Sequence, residues 1–337
     1  MVRSRRARSS TGFVVSAALF LTACGGQSGD DRPSGAVFDF TPPTGAQLQE
    51  IQILWASRDL AAKNVSVFYR DDSNANYELR IYQHVVGGRT HFGAVTIPKN
   101  GARTSFPVVL FASGLSQDNP TMDIGRWAQA AQARLGQAVF IVPVFRGSTL
   151  IYNGITANSA GDFCDAYDGA TDDAIALMNV VEANVPQADF SRLMARGGSR
   201  GGNIALLLAV RDPRITVASA ASAPTDFYRA DVATRYGRQY QCQFIDGKTP
   251  EESRRRMLAS SPLRFPILRN VAKVYLDHGS ADDVVPAWNA EEMAAAIRAQ
   301  AVNLEYHLYA GFGHDLGDSA EFREVQFQIY EQFLLDP

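Results

Sequence analysis

One short stretch of this chain limits its fold more than any other. Leu193-Met194-Ala195-Arg196 reads as a buried strand, Gly197-Gly198-Ser199-Arg200-Gly201-Gly202 follows at once, and Ile204 to Val210 reads as a helix. Glycines at 197 and 201 let a strand and a helix meet at a tight turn, because neither position carries a Cβ to hold the two backbones apart. The residue at the tip, Ser199, takes a strained backbone that lifts its hydroxyl above the sheet. The pentapeptide alone also fits an ordinary glycine-rich turn or a phosphate-cradling loop, so its meaning depends on what the rest of the chain supplies.

The surroundings agree with a sheet of this kind. Val65 to Tyr69, Tyr77 to Val85 and His91 to Ile97 are β-branched or alternating segments between Asp/Asn/Gly-rich breaks, and are expected as strands. Pro107 to Ala112, Ala138 to Val144, Leu193 to Arg196, Ile215 to Ala220 and Val271 to Leu276 are short, nearly continuous apolar runs suited to strands buried on both faces. Helical stretches lie between them at 124–134, 165–182, 201–210, 286–298 and 320–334. Strand-helix alternation implies an α/β fold whose mostly parallel central sheet has helices on both faces. The segment 225–266 breaks the rhythm and is expected as a short cap insertion over the carboxyl ends of the strands. With 337 residues, one large domain over 46–337 accommodates all of this. Lys and Arg number 32 against 35 Asp and Glu, a net charge of −3, which gives no support to a nucleic-acid binder.

A serine hydroxyl is a weak nucleophile, so a base must take its proton and a carboxylate must orient the base. Of the five histidines, His84 and His91 sit in amino-terminal strands, His278 ends a strand, and His307 lies inside the strand pattern Leu304 to Tyr309. His314 stands on the loop Ala310-Gly311-Phe312-Gly313-His314-Asp315, just before the last helix, and is the expected base. The loop Asp277-His278-Gly279-Ser280-Ala281-Asp282-Asp283 offers two adjacent carboxylates, Asp282 and Asp283, as the orienting acid. The order serine, aspartate, histidine is that of an α/β hydrolase.

With those residues in place, Thr104 to Leu335 resembles the catalytic domain of the prolyl oligopeptidase family of serine hydrolases. The resemblance is carried by Val144-Phe145-Arg146-Gly147-Ser148, Gly198-Ser199-Arg200-Gly201-Gly202, Ser260-Ser261-Pro262-Leu263, His278-Gly279-Ser280-Ala281-Asp282 with Val285-Pro286, and Gly313-His314. It implies the α/β-hydrolase fold. It places the catalytic acid four residues after His278, at Asp282, and makes His278 structural. Catalysis through an acyl-enzyme is implied, without metal or organic cofactor, on a small peptide as first substrate and a carboxylic ester as second. Where relatives often carry His-Gly-Gly, this chain has Ser113-Gly114-Leu115, so the oxyanion donors are expected to be the backbone N–H groups of Arg200 and of Leu115 or its neighbour. Residues 46–103 are too few for the β-propeller of many relatives. A binding protein of the cell envelope on an inactive hydrolase scaffold is the competing class.

The first residues form a separate system. Arg3, Arg5, Arg6 and Arg8 precede an apolar run from Phe13 to Leu21, as in an export signal, and Leu21-Thr22-Ala23-Cys24-Gly25 resembles the lipobox of bacterial lipoproteins. The expectation is a signal peptide over 1–23, lipid on Cys24, a flexible tether over 24–45, and a domain held to a membrane of the bacterial envelope outside the cytoplasm. An oxidising compartment favours joining the two remaining cysteines, Cys164 and Cys242, in a disulfide at the rim of the site. Arg146 is expected as a buried brace, and Asp165, Asp168, Asp172 and Asp173 as helix-start acids rather than a metal site.

Overall fold

The computed structural model describes residues 40–99, 103–116, 120–131, 134 and 136–335. The expected signal peptide, Cys24 and most of the tether lie outside these residues. No helix among the described residues is long and apolar enough to cross a membrane.

Helix α1 (Gly45–Ala56) comes first, followed by the antiparallel strands β1 (Lys63–Asp71), β2 (Tyr77–Val86) and β3 (Arg89–Pro98). The β2–β3 hairpin closes on Gly87-Gly88, whose φ values of 56° and 74° are those a two-residue hairpin turn demands. From there strands and helices alternate: β4 (Phe106–Ala112), β5 (Thr121–Asp123), α2 (Ile124–Ala131), β6 (Val139–Val144), β7 (Thr149–Tyr152), β8 (Ile155–Asn158), α3 (Asp168–Asn184), β9 (Ala188–Gly198), α4 (Arg200–Arg211) and β10 (Ile215–Ala221). The chain then passes through α5 (Ala230–Arg235), α6 (Gly237–Tyr240), a π-turn at Gln241–Ile245 and α7 (Pro250–Ala259). It ends with β11 (Lys273–Gly279), α8 (Trp288–Ala299), β12 (Leu304–Tyr309) and α9 (Ala320–Leu335). Nine strands form one sheet in the order β1-β2-β3-β6-β4-β9-β10-β11-β12, antiparallel up to β6 and parallel from β6 onward.

Alternation along the central strands divides the core. Val108, Leu110, Ile141, Leu193 and Ala195 face the layer that holds α3, α4 and α8. Val109, Phe140 and Met194, one residue out of phase, face α2 and α9. Helix α4 is buried from Arg200 through Val210, which is why Ile204 to Val210 is apolar all round.

Three features differ from the sequence reading. The segment before residue 46 is not all tether: Phe40 packs on Tyr228 at 5.4 Å between ring centroids, and Thr44 with Gln47 forms a capping box that starts α1 at Gly45. A second sheet of β5, β7 and β8 appears beside the first. Its strands are too short to show a period in sequence. Finally, 225–266 is a lateral block, not a roof. Phe227, Tyr240, Phe244 and Met257 are buried against the start of α3 and against α4. Asn203 of α4 donates to the carbonyls of Pro224 and Ser260 at 2.7 and 2.9 Å, tying the block at both ends.

Buried charge joins these layers. Arg58 and Arg211 both pair with Asp168 and Asp172 of α3, and Trp55 Nε1 donates to Asp168 at 2.8 Å. Arg146 bridges Asp165 and Asp173. These are the acids and the brace singled out in the sequence. Cys164 and Cys242 are joined in a disulfide with Cα atoms 5.3 Å apart, anchoring the lateral block to the segment before α3.

His84 and His91 are direct cross-strand neighbours, both buried, with rings 6.0 Å apart. Burial, with the adjacent His91 second, pushes the His84 imidazole down to about 4, while Asp173 opposes this; burial also pushes His91 down. The native state therefore holds both rings neutral where an unfolded chain takes up protons near pH 6.5. Stability is fully present above that pH and is lost as pH falls toward 4. Urea midpoints measured from pH 7.5 to 4.5 should fall, and His84→Gln should show a shallower slope; an unchanged slope would refute the assignment.

Candidate active site

The loops at the carboxyl ends of β4, β9, β10, β11 and β12 meet in one place. At the end of β9 the chain turns into α4 with Ser199 at φ 54° and ψ −123°, a conformation an L-residue holds only under constraint. The constraint is visible on both sides. The Ser199 N–H donates to the Ala221 carbonyl at 2.8 Å, and a Cβ on Gly197 or Gly201 would collide with the carbonyl oxygen of Ala112.

Asp282 follows β11 on a turn. Its Oδ1 accepts from the N–H groups of Val284 and Val285 at 3.0 and 2.8 Å, and its Oδ2 lies 2.8 Å from His314 Nδ1. Nε2 of His278 lies 3.2 Å from the same Oδ2 and 2.8 Å from the Val285 carbonyl. Burial disfavours the charged carboxylate, but the bonds from His278, His314 and the Val285 N–H outweigh it and hold the group at about 2. Asp283, the alternative acid, is exposed, and its carbonyl accepts from Arg235. His278 thus does more than shape a loop: it touches the carboxylate itself.

His314 is fixed from the other side by Ser222, whose hydroxyl donates to its carbonyl at 3.0 Å. Ser199 and His314 line the same cavity of about 280 Å³. Among the described residues no hydrogen bond closes between them. The N–H of Arg200, first residue of α4, points from a helix start and lacks an intrahelical acceptor. Leu115 lines the cavity beside Ser199, and its N–H likewise has no acceptor among the described residues.

The remaining walls were not legible in the sequence. Phe111 of β4, Met122 of β5, Phe145 after β6, Phe163 beside the disulfide, and Leu316 with Phe322 near α9 make the cavity mainly apolar. None of its described lining comes from 225–266, so Tyr228, Tyr236 and Tyr240 pack and do not line it. Among the described residues no group of three or more His, Cys, Asp or Glu is arranged to hold a metal ion.

Residues 159–336 match the prolyl oligopeptidase family. No curated protein sequence matches the chain. Among solved structures, acetyl xylan esterase 1 from a Thermoanaerobacterium species is similar with a TM-score of 0.66 and 16% identity, over 87% of this chain and 95% of that one. A puromycin-hydrolyzing peptidase of Mycobacterium tuberculosis gives 0.58 and 22%, over 78% of this chain and 41% of that one. The acylaminoacyl peptidase of Pyrococcus horikoshii gives 0.58 and 16%, over 77% and 41%. At these identities the likeness is one of fold.

The bonds around Asp282 make a testable distinction. Two backbone donors face Oδ1, so an Asn there must keep its oxygen at that place and turn its NH₂ toward His314 Nδ1. That forces the imidazole proton from Nδ1 to Nε2. Nitrogen NMR of His314 at neutral pH should show the tautomer reversed in Asp282→Asn and unchanged in Asp283→Asn. An Nδ1–H retained in Asp282→Asn would overturn the arrangement.

Proposed function

Because the chain belongs to the prolyl oligopeptidase family it is a serine hydrolase, and we propose that Ser199, His314 and Asp282 form its catalytic triad and act on carboxylic esters. The observation that carries the triad is the carboxylate of Asp282, locked by two backbone N–H groups and aimed at His314, which lines the same cavity as the strained turn at Ser199. His314 Nε2 takes the proton of the Ser199 hydroxyl as its oxygen attacks the substrate carbonyl. Asp282 accepts from Nδ1–H and stabilises the imidazolium, and the N–H groups of Arg200 and Leu115 bind the oxyanion. Collapse returns the proton from Nε2 to the leaving alcohol, and water then attacks the acyl-enzyme by the same route.

Esters are favoured over peptides by the site's surroundings. The cavity is largely apolar, and the exposed Asp315 is the one acid among its described lining residues, which gives a substrate ammonium group no buried carboxylate to meet there. Residues 40–99 supply helix α1 and the strands β1, β2 and β3, which extend the sheet. The similar esterase is matched over nearly its whole length, whereas the similar peptidases are matched over less than half. Peptide bonds, placed first from sequence alone, are the second reading, favoured by the family itself. The same reading keeps the enzyme outside the cytoplasm on a lipidated Cys24. It is supported by the basic and apolar leader and by the Cys164–Cys242 bridge, which suits an oxidising compartment.

Ser199→Ala should fold as the wild type does and lose about 10⁴- to 10⁶-fold in kcat. Activity within about tenfold of wild type would remove Ser199 from the mechanism and reopen the inactive-scaffold class. A panel of p-nitrophenyl esters against aminoacyl and dipeptidyl p-nitroanilides should give higher kcat/KM for the esters. Anilides turned over better would restore the peptidase reading.

A further inference from the structure

Arg200 follows the nucleophile directly and is buried to 4% exposure. Other deep arginines here sit against carboxylates: Arg146 on Asp165 and Asp173, Arg211 on Asp168 and Asp172. Among the described residues Arg200 has no carboxylate within ion-pair distance. Its guanidinium instead takes oxygens of a single loop. Nε donates to the Ser113 carbonyl at 3.2 Å, and Nη2 donates to the Ser113 hydroxyl at 3.1 Å and the Gly114 carbonyl at 2.8 Å. Its flat face rests on the Phe145 ring at 4.7 Å. Burial depresses this guanidinium to about 10, against the pull of Tyr167 and Asp173. An uncompensated buried cation is costly, so its contacts must return that cost.

The loop it holds touches the nucleophile. A Cβ on Gly114 would stand 4.0 Å from Ser199 Cβ and 3.8 Å from the Gly198 carbonyl. Ser113 to Ser116 belongs to no helix or strand, so no ladder of backbone bonds fixes its peptide planes. A peptide unit is planar and trans, however, so its C=O and the next N–H point in opposite directions. Holding the Gly114 oxygen against the guanidinium therefore sets the direction of the Leu115 N–H, and holding the Ser113 oxygen sets that of Gly114.

We propose that Arg200 is a positioning residue for both halves of the oxyanion site: its own N–H is one donor, and its side chain aims the loop that supplies the other. The inference rests on the triad of Ser199, His314 and Asp282. It adds that a single residue couples the helix start to the β4 loop, so the two donors keep a fixed separation. Oxyanion donors are effective only when they are already in place as charge develops, which is what such a clamp provides.

The test uses the whole chain. Arg200→Met keeps the apolar stem and removes all three loop bonds. It should lower kcat about 100-fold, near the loss of one oxyanion donor, with KM close to wild type. Affinity for phenylboronic acid, which forms a tetrahedral adduct on the serine, should fall by a similar factor. Arg200→Lys should recover only part of both, because an ammonium cannot span the three oxygens. Wild-type kcat in a folded Arg200→Met, or a raised KM with kcat unchanged, would overturn the proposal. If the methionine variant does not fold, Arg200→Lys carries the test: equal to wild type in kcat and boronate affinity, it refutes the clamp. Fluorophosphonate labelling of Ser199 in the wild type reads the triad separately, so failure of the triad and failure of the clamp are told apart.

Discussion

The carbonyl oxygen of Ala112, at the end of β4, occupies the space where Gly197 and Gly201 would carry side chains. Because both are glycine, the start of α4 can press down between β4 and β9 and bring three things together. The turn at Ser199 is forced into its left-handed conformation, the helix start comes to face the same cavity, and the loop after β4 is laid against Ser199. Parallel strands β4, β9, β10 and β11 then end at one level. The loop after β11 that carries Asp282 and the loop after β12 that carries His314 reach this end of the sheet without long excursions. Any side chain at 201 would lift α4 and separate all these parts at once.

The molecule uses buried arginine in two chemically distinct ways. Arg58, Arg146 and Arg211 neutralise the acids of α3 and so fix that helix to α1, to the β6–β7 turn and to α4. Those pairs offset much of the desolvation of both partners, which is the usual condition for charge in a core. Arg200 meets carbonyl oxygens, a serine hydroxyl and an aromatic face, so its charge has no carboxylate beside it next to Ser199. The first kind of arginine makes a scaffold; the second biases the electrostatics of the site toward negative charge.

The sheet and the turn at Ser199 were largely legible because each leaves a local mark. Buried parallel strands are continuous apolar runs, and the elbow is a strand, two glycines and a serine in fixed order. Choosing between Asp282 and Asp283 needed a family resemblance, since adjacent carboxylates look alike until one of them turns into backbone N–H groups. Helix α1 was missed although its capping residues Thr44 and Gln47 were in plain sight, because only Ile51 and Trp55 of its twelve residues are buried and the apolar period is faint. The segment 225–266 was expected over the strand ends because sequence shows that a segment is long and aromatic, not that it packs on α4 and the start of α3. Arg200 was seen only as a backbone donor: its partners are two main-chain oxygens and a serine hydroxyl 86 and 87 residues away, and such contacts have no signature in a sequence.

The bridge between Cys164 and Cys242 closes a covalent ring that contains α3, β9, Ser199, α4 and β10. Asp282 and His314 lie outside it, on the tail that follows. β12 is the outer strand of the sheet, and β11 is next to it. A load applied at the carboxyl terminus would thus peel away α9 and β12 and then β11, carrying off His314 and Asp282. The ring around Ser199 would still be shut. Mechanically Ser199 belongs to one body and Asp282 with His314 to another, and the backbone ladder between β10 and β11, with the bond from Ser222 to the His314 carbonyl, keeps the two in register.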